Sequence, residues 1–259
     1  MMNGEFSGKR VLVTGAAKGI GRGIARAFAE AGADLLLHFR SDPAEADSLQ
    51  RELAPCGGRI LLCRADLSTE EGIESLFDCV KRNFGSLDAA VNNAGWDPGY
   101  VPLDSINYDL YRKLTDMNVK GTLFCCLNEI RLMRSSGNGG AIINIGSVQM
   151  ETTVPGRTLY AMSKGAIHSL TGELALEVGP DGIRVNCIAP GYIQVERMSS
   201  APGFNQKLVA SGIPVRRIGW PQDIGNCALF LASDKASFIN GQTFIVDGGV
   251  SRKLARESK

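Results

Sequence analysis

Short apolar runs recur along the chain at residues 11–14, 33–39, 60–65, 89–92, 141–145, 184–188 and 243–246. Between them lie stretches whose apolar residues return at helical spacing, notably 19–31, 70–84, 106–134 and 160–177. The first helical pattern stops at Gly32, and Asp42-Pro43 supplies an N-cap and first-turn proline for the next helix. The runs are nearly continuous in apolar residues rather than alternating, as befits strands covered by helices on both faces. The pattern therefore predicts an α/β fold, a single-domain, Rossmann-type, doubly wound and mostly parallel sheet with helices on both faces. Residues 135–140 read as a surface turn, so one domain is expected over residues 1–259.

Composition narrows the function. Twenty-eight Lys and Arg balance 27 Asp and Glu, which leaves no strong field for nucleic acid or an anionic membrane. Residues 1–10 lack the charged and apolar regions of a secretory signal, and no apolar stretch reaches the roughly 18 residues of a membrane span. Seven cysteines without C-x-x-C or metal spacing read as free thiols of a cytoplasmic protein. His38 and His168 are too few and too far apart for a metal site, so no metal is expected.

After the first strand comes Thr14-Gly15-Ala16-Ala17-Lys18-Gly19-Ile20-Gly21. Glycines there permit a tight turn and let backbone N–H groups approach a pyrophosphate at a helix N-terminus. Taken alone, the turn is also compatible with an ordinary strand-to-helix connection. Tyr160 and Lys164, four positions apart on a predicted helix, share one face. An ammonium beside a phenol stabilises the phenolate and draws its ionisation toward neutrality, which suits proton exchange with a substrate oxygen. Singly, this pair is also compatible with a helix-surface pair, Ser147 with a strand-end cap, and Asn118 with satisfied buried backbone.

The T-G-x-x-x-G-x-G spacing resembles that of the short-chain dehydrogenase/reductase family. The resemblance continues over residues 9–249, through Asp66-Leu67, Asn92-Asn93-Ala94-Gly95, Asn118, Ser147, Tyr160-x-x-x-Lys164 and Pro190-Gly191. It implies a cofactor-binding part at about residues 9–150 and catalytic and substrate-binding elements at about 115–250. It also implies a nicotinamide dinucleotide, NADP or NAD, held by Gly15, Lys18, Gly19, Ile20, Gly21, Phe39, Arg40, Ser41, Asp66, Leu67, Asn93, Ala94, Gly95, Tyr160, Lys164, Pro190, Gly191 and Ile193. By the same resemblance, Asp66 accepts from the adenine amino group, and Asn92 and Gly95 border the adenosine side. Asp66 is also placed to cap the following helix, a role Ser68 can fill instead. The implied catalytic set is Asn118, Ser147, Tyr160 and Lys164, with Lys164 on the nicotinamide ribose, Ser147 on the substrate oxygen and Asn118 on a proton-relaying water. Val195 stands where the family often has a cofactor-contacting threonine, leaving only backbone such as that of Ile193 for the carboxamide. Asp247 reads as a turn residue.

At the end of the second strand no acid stands at Phe39 to select NAD. Arg40, with Lys18, offers donors to a 2′-phosphate, which favours NADP. Asp42 remains an alternative ribose acceptor. The expected enzyme moves a hydride between nicotinamide and a carbonyl/alcohol pair on a small molecule. Ser147, Gln149, Trp96, Tyr160 and Tyr192, with Asp97 nearby, give the substrate site polar handles that favour a sugar, polyol or related hydroxy-carbonyl compound. The chain resembles glucose 1-dehydrogenase-like and β-ketoacyl-carrier-protein reductase-like members alike, so a β-ketoacyl thioester reductase is the alternative. A non-catalytic dinucleotide-binding regulator is the alternative of another class. Arg157 reads either as a partner for a substrate carboxylate or phosphate, or as a solvent-exposed loop arginine. The resemblance implies a homotetramer, with helices 106–134 and 160–177 at an interface, and the charged segment 251–259 is expected at the surface.

Overall fold

A computed structural model describes residues 4–199 and 203–253. Seven strands form one sheet in the order β3-β2-β1-β4-β5-β6-β7, every neighbouring pair parallel. They are β1 (Arg10–Val13), β2 (Asp34–Phe39), β3 (Ile60–Arg64), β4 (Ala89–Asn92), β5 (Gly140–Ile145), β6 (Ile183–Pro190) and β7 (Thr243–Val246). The sheet is thus wholly parallel, where a mostly parallel one is expected from the sequence.

Successive strand residues enter opposite cores, as the pleat requires. Val11, Val13, Leu35, Leu37, Ile143 and Ile145 join one core with Ile24 and Phe28 of α1 (Gly19–Glu30), Leu49 of α2 (Pro43–Leu53) and Ile224 of α9 (Pro221–Ala232). Leu12, Leu36, Ala90 and Ile142 join the other. There they meet Phe77 of α3 (Glu70–Phe84), Met133 of α5 (Gly121–Ser136) and Leu174 of α6 (Thr158–Val178). Two short helices, α7 (Glu196–Ser199) and α8 (Gln206–Gly212), follow β6. No helix among the described residues is long and apolar enough to cross a membrane.

The remaining differences from the sequence reading lie at element ends. Thr14 leaves β1 because its hydroxyl is used by the turn after β4, accepting from the N–H groups of Asn93 and Ala94 at 3.0 Å each. The 106–134 pattern resolves into α4 (Tyr108–Thr115), a π-helical turn (Asp116–Lys120) and α5. Asn107 caps α4 by accepting from Leu110 N–H. Thr69, rather than Asp66 or Ser68, caps α3 by accepting from Gly72 N–H. Asp66 Oδ1 instead accepts from both the N–H and the hydroxyl of Ser68 at 3.0 and 2.7 Å. The strand order reverses between β1 and β4, which opens a crevice at their carboxyl ends. Of segment 251–259, residues 254–259 lie outside the described residues.

Candidate active site

The crevice at the reversal is built by two turns that hold each other. Asn93 Nδ2 donates to the carbonyls of Thr14 and Gly15 at 3.0 Å each, so the turn after β4 plugs the glycine turn from behind. Gly15 has φ +62°, a left-handed conformation that side chains resist. A Cβ at Gly21 would collide with the Gly15 carbonyl. The glycines thus form a cradle of backbone at the start of α1. No side chain caps α1: its N-cap residue, Lys18, is extended and exposed, and makes no side-chain cap bond. The positive end of the helix therefore faces the cradle, a donor set suited to a pyrophosphate.

His38 locks this turn from the sheet side. Gly15 N–H donates to its Nδ1 at 3.1 Å, and its Nε2 lies 3.1 Å from the Ala65 carbonyl. The ring therefore carries its proton on Nε2 and spans from the glycine turn to the end of β3. Burial, against the Ala65 hydrogen bond, pushes its pKa down to about 4, so it is neutral at pH 7. Its two-sided role is not visible in the sequence, where it is one polar residue inside an apolar strand.

Beyond β2 the groups expected at the adenosine end separate by depth. Phe39 is buried, packed with Ala17 of the glycine turn and Ala46, while Arg40 and Ser41 are exposed. Asp42 accepts from Glu45 N–H and caps α2, which occupies the alternative acid. Arg64 Nε donates to the Arg40 carbonyl at 3.0 Å, placing a second guanidinium, not singled out from the sequence, at this edge. Although burial works against its charge, the Ser68 hydroxyl and N–H hold the Asp66 carboxyl below its usual pKa. Leu67 is buried in the core, which leaves only its backbone for a ligand. Asn92 turns away from the crevice altogether: its Nδ2 donates to Glu129 Oε2 at 2.9 Å and to Asn144 Oδ1 at 3.1 Å in the core.

The other end of the crevice widens into a cleft of about 820 Å³ lined by Ile20, Asn93, Gly95, Trp96, Ser147, Gln149, Tyr160, Lys164, Pro190, Gly191, Tyr192 and Ile193. The sequence-derived catalytic and substrate residues meet here, with one exception. Asn118 sits behind the cleft in the π-helical turn, where Oδ1 accepts from Trp96 N–H at 2.7 Å and Nδ2 donates to the Trp96 carbonyl at 2.9 Å and to Ser163 Oγ at 3.1 Å. It fixes the backbone that carries Gly95 and Trp96. Lys164 Nζ donates to the Ile145 carbonyl at 2.8 Å and lies 5.7 Å from the centre of the Tyr160 ring. Burial pushes its ammonium down to about 8, against the pull of Cys187 and Asp97. Ser147, at the end of β5, accepts from Gln149 N–H at 3.2 Å.

Arg157 is not a solvent-exposed loop residue. Its Nη2 pairs with Asp97 Oδ2 at 2.8 Å, with side-chain exposures of 14% and 18%. Val195 lines the cleft and touches the space above Gly19. Val250, Ser251 and Lys253 also line it. They are held by Asp247, which accepts from the N–H groups of Gly249 and Ser251 and so acts as the expected turn residue.

Residues 15–251 match a family model described as enoyl-(acyl carrier protein) reductase. The chain is 34% identical to glucose 1-dehydrogenase 2 of Bacillus subtilis over 95% of its length and 96% of the relative's. It is 39% identical to the L-fucose dehydrogenase of Oryctolagus cuniculus, over 95% of this chain and 86% of that one. The crystal structure of acetoin dehydrogenase from Enterobacter cloacae superposes with a TM-score of 0.88 at 32% identity, covering 97% of this chain and 98% of the other.

Proposed function

The chain belongs to the short-chain dehydrogenase/reductase family, and on that premise we propose that it oxidises or reduces a small sugar, polyol or related hydroxy-carbonyl compound, with NADP preferred over NAD. That it is an NAD(P)-dependent oxidoreductase acting on CH–OH and C=O groups follows from the family and its dehydrogenase relatives. The observation that carries the finer reading is the common cleft of Ser147, Tyr160 and Lys164 with Gln149, Trp96 and Tyr192. Relatives named for glucose, L-fucose and acetoin support the substrate class.

The dinucleotide, when bound, supplies or takes up the hydride. The glycine cradle with the start of α1 fits its pyrophosphate, and Asp66 and the backbone around Ala94 and Gly95 fit its adenosine side. Tyr160 hands a proton to the substrate oxygen in reduction and takes it back in oxidation. Ser147 hydrogen-bonds that oxygen and stabilises its developing charge. Lys164, held by the Ile145 carbonyl, places a cation beside the phenol and favours the phenolate. Asn118 keeps the Trp96 backbone in place at the edge of the cleft.

For NADP the support is the exposed Arg40 beside Arg64, with Asp42 already used as a cap. We also read the protein as cytoplasmic, on thiols such as Cys125, Cys126 and Cys187 packed in the core. The test is a panel of aldoses, polyols, acetoin and a β-ketoacyl thioester with both dinucleotides, followed by nicotinamide absorbance. Turnover of hydroxy-carbonyl compounds with a higher kcat/KM for NADP is expected, and Phe39→Asp/Arg40→Ser moves that ratio at least about tenfold toward NAD. Turnover of the thioester alone, or a parent enzyme preferring NAD, contradicts the corresponding part.

A further inference from the structure

The loop after β4 and the turn before α6 meet at the face of the Tyr160 ring. Arg157, three residues ahead of Tyr160, lays its guanidinium carbon 4.7 Å from the ring centre. Two neutral or anionic acceptors pin it there: Gln149 Oε1, which accepts from Nε at 3.1 Å, and Asp97 Oδ2 at 2.8 Å from Nη2. With Lys164 Nζ at 5.7 Å, two cations flank one phenol. One carboxylate among the described residues acts on both, because the charge of Asp97 reaches Lys164 as well as Arg157.

These charges act on the phenol with opposite signs. A cation within about 4–6 Å favours the ionised form of an acid and an anion disfavours it, each by about a pH unit or more when water is partly excluded. The ion pair is mostly buried, so solvent screens it less than a surface pair. We propose that the Asp97–Arg157 pair is a positioning device that sets the pH at which Tyr160 ionises, Arg157 drawing the phenol toward phenolate and Asp97 limiting that pull. Its value to catalysis rests on Tyr160 being the proton-transfer residue, whereas the ionisation itself is measurable without turnover.

Among the described residues, the other charged or titratable groups of neighbouring elements are Lys164, Cys187, Lys113 and, lining the same cleft, Lys253. On α6 the neighbour is Lys164. From β6, Cys187 faces Lys164, and burial pushes its thiol pKa up against the pull of that ammonium. Lys113 of α4 is held 4.5 Å from the Trp96 ring. Of these, the pair is the one that brings a guanidinium to the face of the Tyr160 ring. Its arginine follows a turn that is stitched to the β4 loop by Val101 N–H donating to the Gly156 carbonyl at 2.9 Å.

The experiment is a near-ultraviolet phenolate titration of the full chain. The chain has five tyrosines, so each background is paired with its Tyr160→Phe counterpart and the difference isolates Tyr160. Asp97→Asn is expected to move the midpoint about one pH unit toward acid and Arg157→Gln about one unit toward alkali. Arg157→Lys keeps the charge and stays near the parent midpoint. Midpoints that move in the same direction for Asp97→Asn and Arg157→Gln, that do not move, or an Arg157→Lys midpoint as high as that of Arg157→Gln overturn the proposal. A pair that serves only to pin the two loops gives one of those results. If circular dichroism shows Arg157→Gln to be unfolded, Asp97→Asn and Arg157→Lys decide by the same criteria. Activity retained by Tyr160→Phe removes the catalytic reading and leaves the titration result to be judged by itself.

Discussion

Glu129 is buried with a carboxyl that no cation neutralises among the described residues, and burial, against the Asn92 hydrogen bond, pushes its pKa up to about 8. Its Oε2 accepts from Asn92 Nδ2, while Glu129 Oε1 and Asn92 Oδ1 are both buried without a partner in the described structure. A protonated acid fits this setting better than a carboxylate, because its O–H is a donor and its buried charge is gone. The sign of the linkage follows: the folded state holds a proton that the unfolded state releases between pH 4.5 and about 8. This contribution to stability is therefore complete below pH 4.5 and lost as pH rises through 8. Glu129→Gln keeps an acceptor for Asn92 Nδ2 and removes the titration. In urea unfolding it should match the parent near pH 5 and exceed it near pH 8 by a few kcal/mol, at about 1.4 kcal/mol per pH unit. An equal loss at both pH values would show that the carboxyl is ionised in the fold. None of this was legible in the sequence, where Glu129 is one more polar residue in a helix whose burial depends on tertiary packing.

At the scale of elements, β1, the glycine turn and the end of β3 form one unit through His38. The strands were legible because parallel strands buried on both faces have an apolar signature that polar neighbours cannot mimic. Their ends were less so, since partners distant in sequence decide them: Thr14 is claimed by Asn93 and Ala94, and Asp66 turns back on Ser68 instead of capping α3. Replacing His38 with leucine leaves Gly15 N–H and the Ala65 carbonyl without their partner. That change should cost about 2–4 kcal/mol of unfolding free energy at pH 7, the penalty for unmade buried hydrogen bonds, and loosen dinucleotide binding several-fold. Urea unfolding and a dinucleotide titration measure the two effects, and intact values in both would mean that the ring does not hold the turn. Acid should weaken the parent through the same residue. Its pKa is lowered to about 4 in the fold, so its stabilisation is complete above pH 6.5 and lost as pH falls toward 4. Glu129 runs the other way over the shared part of that range, and the single variants unmask each contribution.

For the whole molecule, motifs dispersed from Thr14 to Tyr192 converge at the carboxyl edge of one sheet. That Ser147, Tyr160, Lys164 and the glycine turn gather at one edge was legible because spacing along strand ends carries over into position along that edge. The Asp97–Arg157 contact was not, because it joins two loops whose meeting depends on the fold between them. Outside the cleft, Tyr108, Tyr111 and Phe124 on α4 and α5, and Met162 and Leu176 on α6, are exposed. Apolar side chains in that arrangement fit a subunit interface, and we predict a homotetramer by light scattering at micromolar concentration; a monomer would refute it. The account as a whole stands on Tyr160 as the group that moves the proton. The measurement that reaches it most directly is steady-state turnover of Tyr160→Phe on the best substrate of the panel, beside its dinucleotide affinity. We predict turnover lower by roughly a hundredfold or more with affinity close to that of the parent, and a variant that turns over at nearly the parent rate would contradict the account.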